Sequence, residues 1–218
     1  MEWEGDLMMN TSNSKKNKKR SSEKFIKIVD ASAKIFREKG YKEATLEDIA
    51  NEVGMLKGSL YYYIDKKDDL LYAVVERPLS EMTENLKKIV NSDCSATVKL
   101  EKALINHING FKNYQSELFV WVSIEWFKTE FGGEIATTGD EYDQLFRTII
   151  EEGVEKKEFR NDLNPKLMTF AIFGVFNYMQ RWYSPKNGYT FDEISKEFNA
   201  FVLQGIWDKV LLCNSTSE

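Results

Sequence analysis

The stretch TLEDIANEVGMLKGSLYYYIDKKDDLL, residues 45–71, decides how the rest of the chain is read. Thr45 can cap a helix start, with Asp48 three positions on, close to a capping box. Leu46, Ile49, Ala50 and Val53 stand at i, i+3, i+4 and i+7, one apolar face of a short helix. Gly54 supplies the backbone freedom for a sharp turn. Lys57, Gly58, Ser59, Leu60, Tyr61, Tyr62 and Tyr63 follow, and of these only Leu60 is obliged to be core. The others present hydroxyls, one ammonium and a glycine. Helix, glycine turn and polar-aromatic helix is the pattern of a DNA-reading helix-turn-helix. Lys57, Ser59, Tyr61 and Tyr62 can donate to phosphates or base edges, and Gly58 lets the backbone come close. The alternative for one or two of the three tyrosines, Tyr63 above all, is packing against the first helix.

Working outward, residues 25–71 resemble the DNA-binding domain of the TetR family of bacterial transcriptional regulators. The match runs through Phe36, Arg37, Glu38, Lys39, Gly40 and Tyr41, then Thr45, Ile49, Ala50, Val53 and Gly54. It continues through Lys57, Gly58, Ser59, Leu60 and the three tyrosines to Lys67, Leu70 and Leu71, in order and at family spacing. Leu56 stands where the family commonly has Ser or Ala, and Ile64 where it commonly has Phe. Leu56 cannot cap through its side chain. The second helix is then less well anchored, or the leucine touches a thymine methyl. The resemblance implies that Thr45, Tyr62 and Lys67 contact phosphates, and that Tyr61 reads a base or a phosphate.

The 218 residues allow one or two domains and a proper core. An apolar fraction of 42% with only 12 Gly and 3 Pro favours long helices over many short strands. Two cysteines and one histidine leave no zinc site and no disulfide framework, which fits a reducing cytoplasm. The net charge of −5 is unevenly spread. Residues 15–77 hold 15 basic and 11 acidic side chains, a net of +4, and the rest of the chain is at −9. The local field matters for phosphate binding, and it favours DNA at the helix-turn-helix. The amino-terminal end carries Glu2, Glu4 and Asp6 with no apolar run, unlike a signal peptide. Residues 167–183 are the most apolar run, too short to span a bilayer and interrupted by Asn177, Gln180 and Arg181. No membrane partner is expected.

The chain reads as all-α, about nine helices in three parts: a basic tail (1–20), a three-helix helix-turn-helix domain (21–68) and a helical ligand-binding and dimerisation domain (69–213). The tail is either a solvated segment or a basic arm that adds phosphate or minor-groove contacts, and Met8 and Met9 allow a later start. Helix 1 covers 22–39. Helix 4 starts after Asp65, and Pro78 predicts a kink or break before a second piece at 80–90, with a loop or simple bend as the alternative. In the resembled family this helix links the two domains. Helices follow over 97–114, 116–131, 138–156, 165–183 and 191–212.

Helix 8 is apolar on nearly every face, so it needs a core on one side and a partner on the other. Helix 9 has a stripe of Ile194, Phe198, Phe201, Val202, Gly205 and Ile206. Two such pairs make an isologous four-helix interface, the homodimer that the resemblance implies, and a two-fold protein reads a palindromic operator. Aromatic bulk among helices 5 to 8 with interspersed polar residues suggests a small-molecule site. Its candidate residues are Phe111, Tyr114, Trp121, Trp126, Phe127, Phe146, Arg147, Phe173, Asn177 and Arg181. His107 reads better as a satisfied core or surface histidine than as an anchor. The residues Asn177 to Pro185, with Phe191, Asp192, Glu193, Ile194, Leu203, Gln204, Gly205 and Ile206, resemble the carboxy-terminal part of TetR-type regulators of fatty-acid and steroid degradation. That resemblance implies a fatty acid or acyl-CoA effector, with Arg147 or Arg181 near the CoA phosphates.

The expected function is a repressor released from double-stranded operator DNA by a small apolar or amphipathic effector. No catalytic residue, metal or cofactor is expected, because no metal-ligand cluster, nucleophile beside a base or glycine-rich phosphate loop is present. The alternative is a DNA-binding regulator whose carboxy-terminal domain binds a partner protein and has a filled core.

Overall fold

The computed structural model describes residues 22–125, 134–184, 186 and 188–207. Among the described residues nine helices follow one another: α1 (Glu23–Lys39), α2 (Leu46–Glu52), α3 (Lys57–Leu60), α4 (Lys67–Val90), α5 (Ala96–Asn113), α6 (Gln115–Glu125), α7 (Glu134–Glu155), α8 (Pro165–Trp182) and α9 (Phe191–Ile206). The basic tail, Trp126, Phe127 and the residues beyond 207 lie outside the described residues. The chain divides into two compact units, with the boundary between Glu76 and Arg77.

In the first unit Ser22 caps α1 by accepting from the Phe25 amide. Ile28, Val29, Ala33, Ile35 and Phe36 on α1 are buried. Thr45 and Asp48 form a complete capping box on α2, stronger than the near-box that the spacing suggested. Gly54 takes φ +67°, so the turn after α2 needs a residue without a Cβ. Leu60, Ile64, Leu70, Leu71 and Val74 complete this core, so Ile64 takes a fully apolar place.

The break expected as one outcome at Pro78 is not found. The α4 helix runs unbroken from Lys67 to Val90 with Pro78 inside it. A proline removes one amide donor, but the turns on both sides keep their ladders, and Leu71, Val74, Val75, Leu79 and Met82 are all buried. Burial of that face holds the helix through the missing bond.

In the second unit α5 is central, packed against α6, α7 and α9. Its amino-terminal end is capped twice: Ser95 accepts from the Val98 amide, and the Glu158 carboxylate accepts from the Ala96 and Thr97 amides at 3.1 and 2.8 Å. Asn164 caps α8 with Pro165 in the first turn, and Thr190 and Glu193 form a capping box on α9. The α8 helix buries Thr169, Ile172, Phe176 and Met179 and exposes Leu167, Phe170, Ala171, Gly174 and Tyr178.

The apolar stripe of α9 does not act as one face. Ile194, Val202 and Ile206 are buried, and Phe198 packs on Phe176 and Trp182 at 5.5 and 6.2 Å between centroids. Phe201 and Gly205 are exposed. A stripe this wide spans two faces of a helix, so only part of it is available to a partner.

Gly153 on α7 lies against the Phe159 ring, where an added Cβ would sit 2.1 Å from a ring carbon. Gly153→Ala is expected to lower unfolding stability by about 1–3 kcal/mol through overpacking, measured by urea denaturation. A variant as stable as the parent would mean that the ring moves aside at no cost.

Candidate DNA-binding surface and effector cavity

The candidate DNA-binding surface rests on a helix of only four residues. Leu56 stands at the N-cap of α3, makes no side-chain cap bond and is 81% exposed. Leu60 points the other way and is fully buried. Lys57, Gly58, Ser59, Tyr61 and Tyr62 are exposed together. Tyr63 is half-buried, with its ring stacked on Phe25 of α1 at 6.2 Å and met edge-on by Tyr62 at 5.0 Å. It therefore packs on the first helix.

Thr45 is exposed, but its hydroxyl already donates to an Asp48 carboxylate oxygen at 2.8 Å and accepts from the Asp48 amide at 3.1 Å. The Lys39 ammonium and the Thr45 hydroxyl and amide hold the Asp48 carboxyl well below its usual range, at about 2. Lys67 is set differently from a free phosphate ligand. Its ammonium donates to the carbonyl oxygens of Tyr41, Lys42 and Ala44 at 2.8, 3.3 and 2.9 Å and lies 4.4 Å from the centre of the Tyr41 ring. The Tyr41 hydroxyl in turn donates to Asp68. An ammonium has three N–H donors, and the turn that leads into α2 takes all three. The charge remains, but the geometry is that of a clamp.

The second unit contains a cavity among α4, α5, α6, α7 and α8. Leu79, Met82, Phe111, Leu118, Trp121 and Phe173 give it apolar walls, and His107, Tyr142, Asp143 and Asn177 give it polar ones. Its free volume is about 30 Å³, close to that of one water molecule. His107 is 5% exposed. Its Nδ1 lies 3.3 Å from the Tyr142 hydroxyl and its Nε2 3.3 Å from Asn177 Oδ1. Asn106 donates to the Met82 carbonyl at 2.9 Å and to the Tyr142 hydroxyl at 3.4 Å. Four phenyl rings, Phe111, Phe146, Phe173 and Phe176, surround the imidazole at 5.2 to 6.0 Å. Burial pushes the His107 pKa down to about 4, against a smaller upward effect of Asn177, so the ring is neutral at pH 7. Burial likewise drives the Tyr142 phenol well above its ordinary value.

Of the expected cavity residues, Phe111, Trp121, Phe173 and Asn177 line this space, and Phe146 lies one layer behind against Phe173. Tyr114, Arg147 and Arg181 are not on its wall. The Tyr114 hydroxyl bonds Glu81, Arg147 bonds Gln144, and Arg181 is exposed. Sequence reasoning missed Leu79, Met82, Leu118, Gly139, Tyr142 and Asp143. Tyr142 was within reach, because it stands four residues before Phe146 on the same face of α7.

Two family models match the chain: "Bacterial regulatory proteins, tetR family" over residues 28–74 and "Tetracyclin repressor-like, C-terminal domain" over residues 93–206. The chain belongs to the TetR family. It is a DNA-binding transcriptional regulator. It is 27% identical to the HTH-type transcriptional repressor KstR2 of Rhodococcus jostii, over 82% of this chain and 89% of that protein. It is 21% identical to the fatty acid metabolism regulator protein of Bacillus subtilis, over 88% of this chain and all of that one. Its fold matches the ketosteroid transcriptional regulator KstR2 of Mycobacterium tuberculosis with a TM-score of 0.79 at 21% identity, covering 87% and 97% of the two chains. It also matches AibR in complex with isovaleryl coenzyme A and operator DNA, with a TM-score of 0.72 at 18% identity over 82% and 97%. None of the described helices is long and apolar enough to cross a membrane. Among the described residues no group of three or more His, Cys, Asp or Glu could hold a metal ion.

The depressed His107 pKa makes stability depend on pH. The unfolded chain takes up this proton near pH 6.5 and the folded chain only near pH 4. Stability from this group is complete above about pH 6.5 and is lost as pH falls toward 4, by about 3 kcal/mol in all. Urea midpoints at pH 7 and pH 4.5 should differ clearly more for the parent than for His107→Gln. Equal differences would remove His107 from the pH dependence.

Proposed function

We propose that this regulator is a homodimeric repressor that leaves a palindromic operator when a small apolar or amphipathic effector, a fatty acid or acyl-CoA, enters the cavity of the second unit. The observation that carries the effector reading is the polar wall of His107, Tyr142, Asp143 and Asn177 inside an otherwise apolar enclosure. A core filled only for stability has no need of four polar side chains on one space. The small free volume is what the partner-protein alternative expects, and it requires the lining, Met82 and Trp121 among it, to yield when the effector enters. The effector acts only by preferring one state of the protein, with a coupling of about 1–3 kcal/mol. The repressor reading is supported by the name of the Rhodococcus relative. Operator selection from random duplexes, followed by anisotropy titrations with fatty acids, their CoA thioesters and steroids, tests it. Binding that no effector weakens would favour the alternative.

The dimer reading rests on the outer face of α8 and the neighbouring part of α9. Leu167 is 64% exposed, Phe170 48%, Tyr178 62% and Phe201 67% in the single chain. A Cβ at Gly174 or Gly205 would meet nothing within 4 Å, which leaves room for a close helix. Phe173 is not on this face, since its ring stacks on His107 at 5.2 Å. Phe170→Glu is expected to shift sedimentation from dimer to monomer without loss of helicity, whereas Phe173→Glu would damage the cavity. A Phe170→Glu dimer would put the interface elsewhere.

The DNA-contact residues proposed are Thr45, Lys57, Gly58, Ser59, Tyr61 and Tyr62, with Lys67 acting through the turn that it clamps. Lys57→Ala should weaken operator binding and lower the salt slope by about one. Tyr62→Phe should weaken binding evenly across sequences. Lys67→Met should weaken binding too, but with lower thermal stability, because three carbonyls lose their donor. A Lys67→Met protein as stable as the parent, with the salt slope lowered by about one, would make Lys67 a simple phosphate contact.

A further inference from the structure

The Leu56 side chain adds little to the fold of the first unit. It stands at the N-cap of α3 without a cap bond, and it is the most exposed large apolar side chain among the described residues. Its backbone is engaged, since the Leu56 carbonyl accepts from the Ser59 amide at 2.8 Å. A serine or aspartate there would also satisfy an amide of the first turn, and leucine is among the poorest caps. The chain thus leaves a four-residue helix uncapped and holds an isobutyl group in water, two local costs at one position. A lone exposed leucine on an ordinary surface needs no explanation. A local folding rule broken within a functional surface does.

The surroundings of Leu56 are open and otherwise polar. Lys57, Ser59, Tyr61 and Tyr62 follow it and are exposed. Gly54 and Gly58 stand two residues away on either side, and a Cβ at either would meet no atom within 4 Å. In helix-turn-helix proteins the first residues of the reading helix meet base edges in the major groove. Lysine, serine and tyrosine can exchange hydrogen bonds with those edges, and leucine cannot. The apolar group that a base pair presents in that groove is the thymine C5-methyl. Leucine packed on that methyl takes apolar surface of both out of water.

We propose that Leu56 is a specificity-determining residue of this regulator and reads a thymine of the operator through its C5-methyl group. The proposal rests on the DNA-contact surface given above, and adds to it a base contact that none of its hydrogen-bond donors makes.

The test uses the full-length protein and the duplex recovered by operator selection, with copies in which each thymine of one half-site in turn is replaced by deoxyuridine. Uracil keeps every hydrogen-bonding group of thymine and lacks only the methyl. Anisotropy titrations compare the parent with Leu56→Ser, whose hydroxyl can cap α3, so that the variant is expected to be at least as stable as the parent. The expected result is a position at which the parent loses about three- to fivefold in affinity with the methyl, and at which Leu56→Ser binds both duplexes alike. A half-site without thymine, or no loss at any thymine, would overturn the proposal. A loss that Leu56→Ser keeps in full would overturn it as well, because another side chain then reads the methyl. Lys57→Ala separates this from the surface reading. Unchanged affinity and salt slope in that variant would put the DNA contact elsewhere and sink both, whereas weakened binding by Lys57→Ala, with no thymine preference in the parent, would remove the Leu56 contact alone. Selection that recovers no sequence over random duplex would refute base reading by Leu56 outright.

Discussion

A helix of four residues cannot hold itself. Nucleating a helical turn fixes several dihedrals for one hydrogen bond, and α3 has no side-chain cap to offset that cost. The candidate DNA-binding surface therefore depends on what lies beneath it. Leu60 and Ile64 are buried, Tyr63 rests on Phe25, and Lys67 ties the start of α4 to the carbonyls of the turn that precedes α2. Every exposed donor of the surface stands on that frame. A residue can matter for DNA recognition here without touching DNA, and the ammonium of Lys67 has the geometry for that role.

The second unit meets a different constraint. A histidine, a tyrosine and two asparagines sit among phenylalanines, where each unpaired polar hydrogen would be costly. They form one relay, so the imidazole is tolerated in its neutral form. Cation placement is the complement of this. Arg147 and Arg181, the arginines expected near an anionic ligand, lie off that wall. The α4 helix supplies Leu70, Leu71 and Val74 to one core and Leu79 and Met82 to the cavity, as one continuous helix. That continuity gives Pro78 its interest, since it stands beside the unit boundary without ending the helix.

Most of the fold was legible because helices announce themselves locally. Thr45 with Asp48, Gly54, Asn164 with Pro165 and Thr190 with Glu193 are signals within a few residues of the structure they set. The errors came where one local rule met a distant packing term. Pro78 obeys its rule by losing a bond, yet a long buried face outweighs it. The α9 stripe has the spacing of one contact, and its residues divide between core and surface because the apolar arc is too wide for one neighbour. Tyr114 and Arg147 have the residue types of a cavity wall, and each is bonded elsewhere.

By itself the sequence determined the all-helical class, the helix-turn-helix with its polar-aromatic surface, and a carboxy-terminal set of strongly apolar helices. Each follows from periodicity, caps and residue chemistry over short spans. Only the tertiary structure decided that Lys67 clamps a turn, that Phe173 faces inward and Phe170 outward, and that His107, Tyr142 and Asn177 meet. Those facts join residues 23 to 70 positions apart. No spacing rule reaches that far, because the meeting depends on how whole helices pack.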